Sequence, residues 1–287
     1  MPRVAVVVPC FNDGPTLPET LSSLHDQEEH QLVVVDDGST DDETLALLAR
    51  LEHDGVHVVH QTNAGLSSAR MAGVAATSAP YVFPLDADDA LAPGALDALA
   101  DALDADPEAA LAWGDVEMWG EVEAQLAVAR ALDPWLLTYL NDVPVASLVR
   151  RTALLEAGGW SMGSGYEDWD LWLALAERGG RGVYIPRPTL RYRRRTGRML
   201  DDTTRRHADF YGRLETRHAG LFAARRENRA RSTAPLRAKL LFPLVERLPL
   251  QPFTRHRLYS FVNRPRQHVA FRRLRRRAQA RAAVVSG

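Results

Sequence analysis

Val4-Ala5-Val6-Val7-Val8 is the stretch that decides the fold. It is apolar at every position, mostly β-branched, and it stops at Pro9-Cys10-Phe11-Asn12. A strand with one face in water alternates apolar and polar residues. A run without alternation is a strand buried on both faces, as in a parallel sheet covered by helices. The pattern recurs at Gln31–Val35, Val56–His60 and Tyr81–Leu85. Between these strands lie helical spacings: Leu17, Leu21 and Leu24; then Leu45, Leu47, Leu48 and Leu51; then Leu66–Ala76. Strand and helix in alternation, joined by short loops, predict an α/β fold with a doubly wound, mostly parallel central sheet. Ligands of such sheets sit beyond the carboxyl ends of the strands. Attention therefore falls on Asn12-Asp13, Asp36-Asp37, Asn63 and Asp86–Asp89.

The pattern loosens after residue 92. A helix is expected over Gly94–Leu103, strands over Ala109–Met118 and Val145–Val149, and a short helix over Pro134–Leu140. A glycine-rich loop, Trp160–Tyr166, leads into a helix over Glu167–Arg178, followed by strands at Gly182–Ile185 and Thr189–Arg193. Residues 1–92 are read as one half of a catalytic domain, 93–198 as the other, and 199–287 as an Arg-rich, mostly helical extension.

The charge is divided in the same way. Residues 1–186 carry 8 Arg against 31 Asp and Glu, whereas 187–287 carry 27 Lys and Arg against 6 acids, within a net charge of -2. An acidic body with a basic extension calls for separate explanations of the two. No apolar run approaches the roughly 20 residues that span a bilayer. The start, Met1-Pro2-Arg3 followed at once by a strand, does not read as a signal peptide. The single cysteine, Cys10, excludes an intramolecular disulfide framework. The expected location is the cytoplasm, with peripheral attachment at the inner face of the membrane as an option for the basic extension.

Five segments carry candidate chemistry. Asp86-Ala87-Asp88-Asp89 follows an apolar strand, and three carboxylates in four residues repel one another unless a cation intervenes. Their hard oxygens suit Mn²⁺ or Mg²⁺. Taken alone, the cluster also reads as a solvated turn capping the next helix. Asp36-Asp37-Gly38-Ser39-Thr40 ends the second strand, where a carboxylate can accept from a nucleobase or ribose; Ser39 or Thr40 is expected to cap the next helix. Pro9, Phe11 and Asn12 form a turn able to flank a base. Asn63-Ala64-Gly65 precedes a helix N-terminus, a natural anion site, with Arg70 serving either that anion or a structural ion pair. Finally, Glu167-Asp168-Trp169-Asp170 opens a helix. A carboxylate there either interacts with the helix dipole or takes the proton of an acceptor hydroxyl.

Together, Val7–Asn12, Val34–Asp41, Asn63–Gly65 with Ala69-Arg70, Leu85–Asp89, and Gly158-Gly159-Trp160 followed by Glu167-Asp168 resemble the family 2 glycosyltransferases. The resemblance covers roughly residues 3–195. It implies the GT-A fold and inverting transfer of a sugar from a nucleotide-sugar donor to a carbohydrate or lipid-linked acceptor, by direct displacement. It implies that Asp37 contacts the nucleobase, that Asp86 lies near the donor ribose, and that Asp88 binds the metal and diphosphate. It further implies Asp168 as catalytic base, with Glu167 and Trp169 shaping the acceptor site. Trp160 and Trp169 are candidates for stacking on acceptor sugars, while Trp172 fits the core pattern of its helix. The chain departs from the family at Met71, where Asn is common, and at Leu190–Thr196, which lacks a His. Arg193–Arg195 are expected to face the diphosphate there instead, or to form a solvated basic strand.

A sugar nucleotidyltransferase is disfavoured, because Pro9–Gly14 contains no Lys or Arg to bind phosphates. A non-catalytic nucleotide-sugar-binding protein is disfavoured by the presence of Asp86, Asp88 and Asp168 together. The basic extension, including Leu236–Leu250 and Phe271–Arg281, suits an anionic membrane surface or packing on the acidic body. Nucleic acid is not an expected partner, since no binding motif is present.

Overall fold

A computed structural model describes residues 1–120, 123–163, 165–194 and 206–265. The first half runs β1 (Val4–Cys10), α1 (Leu17–Ser22), β2 (His30–Asp36), α2 (Asp42–His53), β3 (His57–His60), α3 (Leu66–Ala75) and β4 (Tyr81–Pro84). The second half comprises β5 (Ala90–Leu91), α4 (Ala95–Ala105), β6 (Ala109–Gly120), β7 (Ala124–Leu126), α5 (Pro134–Leu137), β8 (Leu148–Arg150), α6 (Arg151–Glu156), α7 (Glu167–Glu177) and β9 (Arg181–Arg194).

One sheet takes the order β3-β2-β1-β4-β8-β6-β9-β5, with β7 beside β6. Strands β1 to β4 are mutually parallel, and β9 runs parallel to β6; β5, β7 and β8 join antiparallel. This is the expected α/β architecture, with its purely parallel part confined to the first half. All of β1 is buried, and alternate residues serve opposite layers. Val4, Val6 and Val8 share one core layer with residues of α1, α2 and α4, while Val7 lies in the opposite layer, against α3. That two-sided burial is why the strand carries no polar residue. On one side the helix comes very close: a Cβ at Gly73 in α3 would stand 2.3 Å from Val7 Cγ1.

The expected strands Gly182–Ile185 and Thr189–Arg193 are one strand, β9. Pro186 and Pro188 fall where its register with β6 shifts, so their missing N–H groups do not interrupt it. Helix α2 is capped by Asp41, whose carboxylate accepts from Thr44 N at 2.8 Å, and not by Ser39 or Thr40.

The extension contains α8 (His207–Arg217), α9 (Ala219–Ala223), α10 (Arg225–Arg231), α11 (Leu236–Glu246) and α12 (Pro252–Asn263). The expected boundary at 198/199 and the segment Phe271–Arg281 lie outside the described residues. What is described packs on the second half, so the self-packing option holds for this part. Trp135 and Tyr139 of the body meet Phe242 and Tyr259 at ring-centroid distances of 4.9–5.4 Å. Asp133 accepts from Ser232 and Thr233. Among the described residues, no helix is long and apolar enough to cross a membrane.

A buried ionic latch completes the attachment. His218 reaches Asp170 of α7 at 3.1 Å and Glu177 at 2.9 Å, and Arg217 donates to both Asp170 oxygens. Burial opposes the charge on His218, but Asp170 and Glu177 outweigh it and raise its pKa above the ordinary imidazole value. The stabilisation is therefore complete below the ordinary value and lost as pH rises through the raised one. His218→Ala is expected to cost about 1–3 kcal/mol at pH 6. The gap from wild type should narrow with rising pH in thermal melts; a gap independent of pH would rule out the charged latch.

Candidate active site

The carboxyl ends of β1, β2 and β4 bring Asn12, Asp37 and Asp86 to one edge of the sheet. Asn12 adopts a left-handed backbone (φ 57°), and its Oδ1 accepts from Thr40 N at 2.8 Å and Asp41 N at 3.0 Å. Its own N donates to Ser39 Oγ. Asn12 thus ties the first loop to the second. Pro9 is buried in β1 opposite Val35, while Phe11 stays exposed beside the edge.

Asp37 is buried and organises the third loop. Its Oδ1 accepts from Gln61 Nε2 at 2.7 Å and Ala64 N at 2.8 Å, and its Oδ2 from Gly65 N at 2.9 Å. Gly38, at φ +74°, lets the two loops touch: a Cβ there would lie 2.7 Å from Asn63 N. Neighbouring Asp36 accepts from Ser39 N and pairs with His60. Burial alone would raise its pKa, but these partners hold it below the usual carboxylate value. Asn63 remains exposed at the loop tip.

The acidic cluster splits three ways. Asp86 and Asp88 are half-buried, Ala87 is buried, and Asp89 turns inward. Asp89 Oδ1 accepts from Arg193 N at 2.8 Å, which ties the turn to β9. Burial, reinforced by the charges of Asp86 and Asp88, pushes the Asp89 pKa well above the carboxylate range. Arg193 does not point outward toward a diphosphate. Its guanidinium donates to the Asp88 carbonyl, pairs with Glu19 and lies 3.7 Å from the Trp119 ring centre. Arg195 lies outside the described residues.

Arg70 joins the two halves of the domain. Its side chain is buried, with Nη2 donating to Asp86 Oδ1 at 2.8 Å and Nη1 to Glu167 Oε1 at 3.0 Å. Of the two roles open in the sequence, the geometry is that of the ion pair. Burial works against its charge, and Asp86 and Glu167 outweigh it. Glu167 also accepts from Gly165 N, so it is a clamp at the start of α7.

Asp168 is the next residue. Its Oδ2 accepts from Asn141 Nδ2 at 2.7 Å and its Oδ1 from Trp169 N at 2.8 Å. Burial, and then the charge of Glu167, push its pKa up to about 7. Tyr166 precedes this pair in a left-handed conformation (φ 64°), pinned by a 2.8 Å hydrogen bond with His207. A non-glycine residue held there marks a locally strained site.

The tryptophans do not present the open faces expected of them. Trp169 is 1% exposed, donates from Nε1 to the Leu137 carbonyl at 2.7 Å and packs on Tyr166 and Tyr211. Trp160 is buried with its ring 5.7 Å from the Arg70 guanidinium, and its Nε1 has no hydrogen-bond partner among the described residues. Trp172 is core, as its helix spacing predicts. Gln61, at the start of the candidate segment that runs to Arg70, fixes Asp37. His60 and Asn141 also fix carboxylates of the site but carry no signal of that role in the sequence; Asn141 sits in an irregular segment without a local pattern.

Over residues 5–152 the chain matches the family model described as glycosyl transferase family 2. An uncharacterised glycosyltransferase of Mycobacterium bovis is 34% identical over 196 residues, covering 63% of this chain and 83% of that one. An undecaprenyl-phosphate 4-deoxy-4-formamido-L-arabinose transferase of Klebsiella pneumoniae is 34% identical over 94 residues, covering 30% and 29%. Among solved structures, S. aureus TarS 1-349 in complex with UDP-GlcNAc aligns with a TM-score of 0.62 at 18% identity, over 91% of this chain and 74% of that one. The Pyrobaculum calidifontis mannosyltransferase PcManGT in complex with GDP-Man and Mn²⁺ aligns at 0.54 and 20%, over 91% and 85%. These structures share the fold, and the family model extends over more than half of the chain: the protein belongs to glycosyl transferase family 2 and is a glycosyltransferase.

Proposed function

We propose that this enzyme moves a sugar from a nucleoside-diphosphate sugar to the hydroxyl of a carbohydrate or lipid-linked acceptor, with inversion and by direct displacement. The observation that carries the reading is Asp168. Its carboxylate is held by Asn141 and Trp169, has its proton affinity raised to about 7, and sits beside the Glu167–Arg70–Asp86 ion-pair chain. A base of that affinity is matched to neutral pH. The acceptor hydroxyl gives its proton to Asp168 as its oxygen bonds to the anomeric carbon. The bond from that carbon to the diphosphate breaks, and the nucleoside diphosphate departs. The complexes of TarS with UDP-GlcNAc and of PcManGT with GDP-Man support the donor class.

The donor would lie along the edge formed by Phe11, Asn12, Asn63 and Asp86. Asp37 and Gly65 act through the loop they hold together. Asp86 and Asp88 offer partly exposed hard oxygens one residue apart, a donor set that fits Mn²⁺ or Mg²⁺. The described residues contain no group of three or more His, Cys, Asp or Glu side chains placed to enclose a cation. Asp88 would therefore hold the ion together with diphosphate oxygens and water. Bound there, it would offset negative charge on the leaving diphosphate.

Asp88→Ala is expected to weaken metal-dependent binding of the nucleoside diphosphate by roughly tenfold or more, the scale on which even outer-shell partners affect metal affinity. Calorimetry with and without Mn²⁺ checks this. Equal wild-type affinity in the two conditions would contradict the metal role.

A further inference from the structure

Helix α11 is apolar on two sides, and the described residues cover only one of them. Ala238, Phe242 and Val245 face inward on Trp135, Tyr139 and Tyr259. Leu236, Leu240 and Leu244, four residues apart and so on one side of the helix, are 71%, 54% and 55% exposed. Leu241 and Leu248 flank them and are also exposed. Large apolar residues gathered on one exposed stripe mark an interaction surface, unlike the same residues scattered singly.

We infer that this outer face of α11 docks on an anionic lipid bilayer, with the helix lying in the plane of the interface. The charge around the stripe selects that occupant. Arg237 and Arg247 are exposed beside it. From residue 231 to 265 the chain has 7 Lys and Arg and one acid, Glu246, which is paired with Arg225. An apolar strip rimmed by cations is complementary to headgroups that carry negative charge over an apolar interior. A second copy of the chain fits less well, because the same cations would oppose one another across the contact. With eleven residues, α11 is far too short to span a bilayer. Helix α12, which packs beside α11, also reaches the body: His256 lies 5.9 Å, centre to centre, from the ring of Trp169. The inference does not depend on the donor or the chemistry proposed above.

Co-flotation of the full chain with vesicles tests it. Wild type is expected to partition onto phosphatidylglycerol–phosphatidylcholine vesicles at least about tenfold more than onto pure phosphatidylcholine, and to be released as ionic strength rises. Leu240→Gln/Leu244→Gln changes only exposed side chains, so its melting temperature should match wild type while its partitioning falls about tenfold or more. Absence of preferential binding to anionic vesicles would overturn the proposal, as would full binding by the double variant. So would a wild-type dimer that the double substitution converts to monomer in sedimentation velocity, since the stripe would then be a self-association face.

Discussion

Asp168→Asn is expected to lower kcat by about 10²–10⁴-fold while leaving nucleotide affinity near the wild-type value. The substitution keeps the shape of the side chain and an oxygen for Trp169 N, and the Asn141 amide can reorient to pair with the new one. What disappears is the group that takes the proton. The pH profile provides an independent check. Only the ionised carboxylate can act as base, so wild-type activity should fall as pH drops below about 7. Stability should move the other way. The folded-state pKa lies above the ordinary carboxylate value, so the wild type loses stability between that value and about pH 7 as the charge forms in a poorly solvated place. Asp168→Asn escapes that loss, and above pH 7 its melting temperature should exceed wild type. Transfer at the wild-type rate by this variant would refute the base assignment.

Arg70→Met should be the most destabilising single change in the domain, by about 3–5 kcal/mol, or on the order of 10 °C in melting temperature. Arg70 is fully enclosed, and its two outer nitrogens serve carboxylates from opposite halves, Asp86 after β4 and Glu167 at the start of α7. Removing the guanidinium leaves Glu167 buried without its cation and frees Asp86 from its fixed orientation. Arg70→Lys should recover only part of the loss, since one ammonium replaces a planar fork that reaches both partners. Thermal melts and nucleotide affinity should fall together, because the ion-pair chain links the Asp86–Asp89 turn to Glu167, the residue before Asp168. A methionine variant as stable as wild type would show that the chain is incidental.

Burial on both faces of a parallel strand is a local property, so β1, β2 and β4 were legible from runs of valine and its neighbours. The β9 strand was not, because prolines normally end strands; its continuity depends on register shifts against a partner about seventy residues earlier. Two-residue β5 has no signal of its own and exists only through its pairing with Leu190 and Arg191. In the site, the acidic residues stood out by type and by their place after strands. Their division of labour did not. Asp89 is claimed by the β9 backbone, Asp37 by the 61–65 loop and Glu167 by Arg70, and each claim crosses a long stretch of chain. Arg193 likewise looked available from its position, yet Trp119 and Glu19 hold it down. Tryptophan suggested sugar stacking, but large apolar area also makes it the residue a core buries most profitably, and Trp169 followed that course.

The edge bearing Asp86 and Asp88 is proposed to receive a nucleotide-sugar together with a divalent cation. Thermal shift of the wild type and Asp88→Ala across a panel of UDP-, GDP- and dTDP-sugars, each with and without Mn²⁺, tests it most directly. At least one nucleotide-sugar is expected to raise the melting temperature of the wild type in Mn²⁺, with the rise lost without the ion and in Asp88→Ala. A panel in which no nucleotide-sugar shifts the wild type, or in which the variant shifts equally, would contradict it.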